Sequence, residues 1–190
     1  MQENLEIEIK ALINKEDFDK LCSYFNITEI HFFKQTNHYF DTLEQEILHQ
    51  KSALRIREVD NKYILTLKRK EQDEVIEYEQ EISKDEFELY KNNKKGFNCY
   101  LKSELIKMKI DDSEIIYLTS LTTKRAVIKY LDGELFFDIN YYSDNCDYEI
   151  EYETYSYDYG VKVIKELFNK LGIKFIANPI SKRARATNFR

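Results

Sequence analysis

Proline, glycine and cysteine are scarce in this 190-residue chain, which has one proline, four glycines and three cysteines. With so few breaker residues the sequence contains no linker and no low-complexity tract, so we predict a single domain over residues 1–190 with a sizeable core. The cysteines are Cys22, Cys99 and Cys146, which have neither a CxxC pair nor the histidine spacing of a zinc site. We therefore interpret them as free thiols.

A basic excess is also lacking, since the formal net charge is -6 and the isoelectric point is about 5.3. Nucleic-acid-binding and membrane-surface proteins normally need a positive surface, so we expect neither a nucleic acid nor a membrane as a partner. The sequence shows no signal-peptide pattern and no apolar run of membrane-spanning length. We therefore expect a cytoplasmic protein in which any basic site is local.

Alternation of apolar and polar residues is the dominant pattern, and it predicts eight β-strands. Their expected ranges are 4–11, 36–42, 52–59, 62–70, 74–83, 121–130, 134–142 and 146–154. Between the sixth and seventh of these, Asp132-Gly133 is typical of a tight hairpin turn.

Helical periodicity is confined to four short segments. One follows a cap at Asn14, one follows the capping box of Ser83 and Glu86, one lies near residues 101–108, and one stops at Gly172. Together with the strands they predict an α+β fold.

Most of the predicted strands have one charged face, because side chains alternate between the two faces of a strand. The charged residues on these faces are Glu6, Glu8, Lys10, Arg55, Arg57, Lys68, Glu77, Glu79, Glu81, Arg125, Asp138, Glu149, Glu151 and Glu153. An antiparallel sheet with its charged face in water would be the simple explanation. However, like charges side by side cost stability unless something binds between them.

The alternative is an eight-stranded antiparallel closed β-barrel, a tunnel whose charged face points inward and whose apolar outer face is covered by helices. Such a barrel can hold one small ligand. Charges removed from water are costly unless they are compensated, so a charged lumen implies a charged ligand. Basic residues bind an anion with many oxygens, and carboxylates bind a hard divalent cation such as Mg²⁺ or Mn²⁺. Together they predict a metal and polyphosphate site.

EIEIK at residues 6–10 resembles the ExExK signature of the CYTH superfamily, the triphosphate tunnel metalloenzymes, which includes class IV adenylyl cyclases, thiamine triphosphatases and inorganic triphosphatases. Further matches, in chain order, are YFDT at 39–42, ALRIR at 53–57, LTLK at 65–68, TKRA at 123–126, LFFDI at 135–139, YEIEYE at 148–153 and SK at 181–182. The ordered series is more specific than any one motif. The resemblance implies an eight-stranded tunnel, open at both ends, that binds a triphosphate through basic residues and one or two divalent metals.

The resemblance also implies roles for individual residues. The expected metal ligands are Glu6, Glu8, Glu77, Asp138, Glu149 and Glu151. The expected triphosphate ligands are Lys10, Arg55, Arg57, Lys68, Arg125 and Lys182. Of these two sets, Lys10, Arg57 and Glu8 are the expected catalytic residues. Independently of the resemblance, surface charge is expected of Arg183 and Arg185, and a structural or surface role of His31, His38 and His49, which have no metal-site spacing.

A triphosphate carries about four negative charges near neutral pH, and attack on phosphorus must overcome them. Arginines bind phosphate oxygens in pairs, and a metal held by carboxylates can neutralise developing charge. Either a metal ion or an unpaired carboxylate that acts as a general base can activate the attacking water. We therefore predict metal-dependent hydrolysis of inorganic tripolyphosphate or a small organic triphosphate by a monomer or homodimer. Two alternatives stay open: an adenylyl cyclase that makes cyclic AMP and pyrophosphate from ATP, and a non-catalytic module that binds polyphosphate or nucleotides.

Overall fold

The computed structural model of the protein describes residues 2–5, 7–71, 74–93, 101–142, 145–178 and 180–188, with only the backbone for residues 2–5 and 188. The chain divides into two compact units. The first contains residues 1–6 and 36–120, and the second contains residues 7–35 and 121–189. The described strand pairings within each unit are antiparallel, and helices accompany the strands in both units. The predicted α+β fold with antiparallel strands is therefore confirmed.

Nine strands and six α-helices are formed by the described residues. The strands are β1 (Gln2–Leu5), β2 (Glu8–Ile13), β3 (Phe33–Asp41), β4 (Ala53–Val59), β5 (Lys62–Glu71), β6 (Glu74–Ile82), β7 (Ile116–Tyr130), β8 (Gly133–Tyr142) and β9 (Asn145–Glu153). The helices are α1 (Lys15–Tyr24), α2 (Glu46–His49), α3 (Lys84–Lys91), α4 (Leu101–Lys107), α5 (Tyr157–Lys170) and α6 (Lys182–Asn188).

The first unit packs the apolar face of its strands against α3 and α4. Its strand order is β1-β6-β5-β4-β3, and Ile56 of β4 pairs with Leu65 of β5. Both side chains are fully buried in one core cluster with Phe87 of α3 and Leu105 of α4. The capping box predicted from Ser83 and Glu86 is present at the start of α3. The apolar face of these strands is therefore covered by helices, as predicted.

The second unit repeats this arrangement with α1 and α5. Its strand order is β7-β8-β9-β2, and its core cluster joins Phe137 of β8 and Ile150 of β9 to Leu21 of α1 and Leu167 of α5. The Asn14 side chain accepts a hydrogen bond from the backbone N–H of Asp17, so it caps α1 as predicted. The charged residues of β7, β8 and β9 alternate with the core residues and therefore lie on the face opposite to the one that packs against α1 and α5.

The predicted first strand, 4–11, is divided in the structure. β1 pairs with β6, whereas β2 pairs with β9, and Ile7 between them is not in a strand. The alternation of side chains continues through this point in the sequence, so the pattern alone does not reveal the change of partner. Glu6 lies outside the described residues.

The other predicted strands and the four predicted helices are present, with boundaries that differ by a few residues. β7 begins five residues before the predicted strand 121–130, and the short helices α2 and α6 were not predicted. Cys22 and Cys146 are free thiols, as expected, and Cys99 lies outside the described residues. Within the described residues, no helix has the length and apolar character needed to cross a membrane.

Candidate functional site

Three carboxylates on neighbouring strands of the second unit form the centre of the candidate site. Asp138 of β8 lies directly opposite Glu149 of β9, and Glu151 follows two residues later on the same face. Asp138 and Glu149 are fully buried and Glu151 is 4% exposed. One oxygen from each side chain lies within 4.8 Å of the others, a spacing that allows all three to bind one metal ion. We call these three residues the carboxylate group.

The Lys182 ammonium lies among the three carboxylates. Its Nζ atom is 2.7 Å from Asp138 Oδ2 and 2.7 Å from Glu149 Oε2. The same atom is 2.5 Å from Glu151 Oε1. Burial lowers the pKa of Lys182, but the neighbouring carboxylates outweigh it and raise that pKa above its ordinary value. Lys182 is therefore a charged ammonium that compensates the buried acids.

Arg125 of β7 binds the carboxylate group from the neighbouring strand. Its guanidinium donates two hydrogen bonds to Asp138, of 2.7 Å from Nε and 2.6 Å from Nη2, and a third of 2.6 Å to Glu151 Oε2. Burial raises the pKa of Glu151, but Lys182, Arg125 and Lys10 outweigh it and hold that pKa well below its ordinary value. Glu151 is therefore ionised, and the carboxylate group as a whole is surrounded by cations.

Lys10 and Glu8 of β2 lie at the more exposed side of this group. Lys10 pairs with the Glu8 carboxylate, and its Nζ is 4.0 Å from Glu151 Oε1. The side chains of Lys10 and Glu8 are 23% and 18% exposed. Seven of the site residues predicted from the sequence thus lie together in the second unit: Glu8, Lys10, Arg125, Asp138, Glu149, Glu151 and Lys182.

Arg185 belongs to the same network, although the sequence interpretation assigned it to surface charge. Its Nη1 and Nη2 atoms donate to Glu149 at 3.2 and 2.8 Å, and its Nε lies 2.9 Å from Asp147 Oδ2. Arg185 is 6% exposed and Arg183 is 2% exposed, so the expectation of surface charge is wrong for both. Lys182 and Arg185 are three residues apart on α6 and therefore share a face. That spacing would have identified Arg185 had a helix been predicted there.

The chain before α6 is attached to the same group. The backbone N–H of Asn178 donates to the carbonyl of Lys10 at 2.9 Å, and its side-chain Nδ2 donates to Glu149 Oε1 at 3.0 Å. The Ile180 carbonyl accepts a 2.9 Å hydrogen bond from Arg185 Nη1. Glu149 therefore fixes the C-terminal segment as well as contributing to the carboxylate group.

The first unit contains the other predicted site residues. Arg55 Nη2 donates to Glu77 Oε1 at 3.0 Å, and Lys68 Nζ lies 3.8 Å from the same oxygen. Arg57 Nε donates to Asn37 Oδ1 at 3.3 Å. These contacts orient the three cations, all of which are part-buried. Glu79 accepts a hydrogen bond from Thr66, whereas Glu81 is exposed.

The donor set of the carboxylate group fits a hard divalent ion. Mg²⁺ and Mn²⁺ prefer oxygen ligands, and the three carboxylates provide them without a thiolate or imidazole that would favour zinc. Of the predicted metal ligands outside the group, Glu8 pairs with Lys10 and Glu77 pairs with Arg55. Their roles as ligands stay predictions.

Comparisons with known proteins agree with the motif series. The CYTH domain family model matches residues 4–180. YjbK from Bacillus subtilis (strain 168), which is provisionally named a triphosphatase, is 33% identical over 176 residues, covering 91% of this chain and 90% of YjbK.

Solved structures show the same fold. The crystal structure of a Bacillus halodurans protein, provisionally named an adenylate cyclase, has 33% identity and a TM-score of 0.91, covering 97% of this chain and 98% of its own. HpAC1 from Hippeastrum, a provisionally named adenylyl cyclase for which a dominant triphosphatase activity is described, has 24% identity and a TM-score of 0.81, covering 97% and 96% of the two chains. This chain therefore belongs to the CYTH domain family.

Proposed function

We propose that the protein hydrolyses a triphosphate, either inorganic tripolyphosphate or a small organic triphosphate, in the presence of Mg²⁺ or Mn²⁺. The observation that carries this proposal is the buried carboxylate group surrounded by Lys10, Arg125 and Lys182. Binding an anion requires the cations alone, whereas burying three carboxylates costs several kcal/mol per ion unless they are compensated. Retaining both signs of charge is expected of a site that binds a metal together with phosphate. The name of the relative YjbK agrees with this activity.

In the proposed mechanism the cations bind phosphate oxygens. The planar guanidinium of Arg125 can bind two oxygens at once, while Lys10 and Lys182 act as compact charges. The carboxylate group, with Glu6 and Glu8 as predicted from the sequence, would hold Mg²⁺ or Mn²⁺, which would neutralise developing charge and activate a water. Lys10 and Glu8 are the more exposed members and are therefore placed to meet the substrate first.

Arg55, Arg57 and Lys68 are proposed as further phosphate ligands. The ALRIR and LTLK motifs support this role, as do the contacts that orient Arg55 through Glu77 and Arg57 through Asn37. The closed barrel with a charged lumen, the single domain, the cytoplasmic location and the choice between monomer and homodimer stay predictions from the sequence.

Adenylyl cyclase activity is a second candidate because the Bacillus halodurans relative carries that provisional name at 33% identity. In a cyclase, the ribose hydroxyl of ATP would replace water as the nucleophile, so cyclic AMP and pyrophosphate would form instead of free phosphate. The same basic and acidic residues would serve either reaction, and the products distinguish the two.

The test is phosphate release from tripolyphosphate, ATP and thiamine triphosphate with Mg²⁺, Mn²⁺ or EDTA, with pyrophosphate and cyclic AMP measured in the same reactions. We expect metal-dependent phosphate release that falls by about 100-fold or more in Glu151→Gln, because Glu151 would hold the metal that stabilises the transition-state charge. Glu134→Gln, an exposed glutamate on the same face of β8 as Asp138, is the matched control and should retain full activity. Cyclic AMP with pyrophosphate would establish a cyclase, and tight binding without turnover would establish a binding module.

A further inference from the structure

The Lys182 ammonium occupies the position that a metal ion bound by the carboxylate group would take. Its Nζ contacts one oxygen of each of the three acids, at 2.5 to 2.7 Å, and the Lys182 side chain is 12% exposed. Mg²⁺ binds carboxylate oxygens at about 2.0–2.1 Å, so an ion held by the same three oxygens would overlap the ammonium. Lys182 and a divalent ion cannot both hold these contacts.

We propose that Lys182 is a built-in counter-cation of the carboxylate group, which a divalent metal displaces, and that the displaced ammonium then binds the phosphates of the substrate. The identity of that substrate rests on the proposed function, whereas the competition between lysine and metal does not. In this arrangement one residue compensates the buried acids without metal and contributes to the triphosphate site once metal is bound.

The anchoring of α6 allows this exchange without moving the helix. Arg185 binds Glu149, Asp147 and the Ile180 carbonyl, and Asn178 binds Glu149 and the Lys10 carbonyl. These contacts hold the backbone on both sides of Lys182. The lysine side chain has a flexible four-carbon stem, so its ammonium can leave the carboxylates by rotation alone.

The surrounding charges favour an anion once the exchange has occurred. Arg125 contacts Asp138 and Glu151 at 2.6 Å, and Lys10 lies 4.0 Å from Glu151. A divalent ion added to these cations and to the released Lys182 raises the local positive charge. Metal and triphosphate should therefore strengthen each other's binding, since coupling between two sites is reciprocal.

The experiment measures Mn²⁺ binding to the protein by electron paramagnetic resonance, without substrate and then with tripolyphosphate. We expect Lys182→Met to bind Mn²⁺ more tightly than wild type without substrate, by about tenfold, a size typical of coupled sites. We also expect tripolyphosphate to tighten Mn²⁺ binding less in Lys182→Met than in wild type. Lys129→Met, an exposed lysine on the same face of β7 as Arg125, is the matched control and should behave as wild type. Unchanged or weaker Mn²⁺ binding by Lys182→Met overturns the proposal.

A second measurement uses the wild-type protein and does not depend on the folding of a variant. Acetic anhydride acetylates accessible lysines, and mass spectrometry quantifies each modified peptide. Adding Mn²⁺ should increase acetylation of Lys182 and leave that of Lys129 unchanged, whereas unchanged or reduced acetylation of Lys182 contradicts the proposal.

Neither measurement requires turnover. If Lys182→Met binds Mn²⁺ more tightly but the wild-type protein releases no phosphate, only the hydrolase is overturned. If the wild-type protein hydrolyses a triphosphate but Lys182→Met binds Mn²⁺ no more tightly than wild type, only the counter-cation role is overturned.

Discussion

Ile56 and Arg57 are consecutive residues of β4 whose side chains point to opposite faces. Ile56 is fully buried in the core of the first unit, whereas Arg57 is part-buried and donates to Asn37. We expect Arg57→Ala to reduce triphosphate turnover by about 100-fold or more with little change in unfolding temperature. Steady-state kinetics and thermal unfolding of the same samples provide the measurement.

Ile56→Asp is the matched variant for the opposite face. Ile56 is fully buried, and the substitution would place a carboxylate without a partner in the apolar core. We therefore expect the free energy of unfolding to fall by more than about 4 kcal/mol. Equal destabilisation by both variants, or full activity in Arg57→Ala, would contradict the assignment of the charged face to the ligand.

We expect His38 to make the free energy of unfolding depend on pH. Its ring packs 4.7 Å from the Phe87 ring and its Nε2 lies 3.3 Å from Glu58 Oε2. Burial lowers the pKa of His38 below the ordinary 6.5, although Glu58 opposes that effect. The unfolded chain therefore takes up the proton first, and the stabilisation present above pH 6.5 is lost as the pH falls toward the lower folded-state pKa.

The measurement is thermal unfolding from about pH 7.5 to about pH 5.5, where histidine is the side chain that normally titrates. His38→Gln should flatten the fall in unfolding temperature on acidification, and His49→Gln, an exposed histidine in the same unit, should not. A wild-type slope that survives in His38→Gln would assign the effect to other groups. The expectation that His38 has a structural role agrees with its buried position.

The β7–β8 hairpin depends on a glycine for a reason different from the one the sequence suggested. The sequence pair Asp132-Gly133 predicts a tight turn. In the structure Tyr130 pairs with Gly133, so the two loop residues are Leu131 and Asp132. The positive φ, of 50°, is found at Leu131. A Cβ at Gly133 would lie 2.4 Å from the Glu153 carbonyl oxygen and 2.7 Å from the Tyr152 ring. The glycine is required by the close approach of β9.

Gly133→Ala should therefore lower the free energy of unfolding by about 1–3 kcal/mol, as overpacking does. Gly172, which follows α5, has a φ of +66°, and a methyl group added there would meet nothing within 4 Å. Gly172→Ala should cost about 1 kcal/mol through backbone strain alone. Denaturant unfolding of both variants separates the two causes, and a smaller cost at Gly133 than at Gly172 would contradict the steric explanation.

Arg185 links α6 to the carboxylate group, and removing it should affect both stability and activity. Arg185→Gln leaves Glu149 and Asp147 with one cation fewer, and we expect a loss of about 3–5 kcal/mol, typical of a broken buried ion pair. Because Glu149 also holds Lys182, turnover should fall as well, and Arg185→Lys should restore part of it. Lys174→Gln, an exposed lysine before α6, is the control. Full activity in Arg185→Gln would mean that α6 needs no such anchor.

Elements with strict alternation could be predicted from the sequence, and those defined by long-range partners could not. β4, β5 and β6 follow the predicted ranges closely because each has one apolar face that must be buried. The break at Ile7 and the start of β7 at Ile116 depend on which strand lies alongside, which alternation does not encode. α6 was not predicted because Lys182, Arg183 and Arg185 resemble a solvated face. The carboxylates of β9 nevertheless make the burial of Lys182 and Arg185 favourable.

At the scale of the whole molecule, the formal net charge is -6, but positive and negative groups are nearly equal in number at the candidate site. The network of the second unit joins four basic residues to five acidic residues, which gives a formal charge of -1: Lys10, Arg125, Lys182 and Arg185 with Glu8, Asp138, Asp147, Glu149 and Glu151. One divalent ion would change its sign. The composition indicated an acidic protein without a basic surface, and the charged strand faces indicated where the cations lie, but only the folded chain shows how they pair.

This balance predicts that metal stabilises the folded protein. An ion that binds the native state alone adds about 2.7 kcal/mol at 100 times its dissociation constant, and each kcal/mol raises the unfolding temperature of a chain of this size by about 2–4 °C. We therefore expect the unfolding temperature to rise by about 5–10 °C from EDTA to saturating Mg²⁺ or Mn²⁺. Asp138→Asn should abolish most of the rise because Asp138 is one of the proposed metal ligands, whereas Asp60→Asn, at an exposed residue of the first unit, should not. An equal rise in both variants would place the stabilising ion elsewhere in the protein.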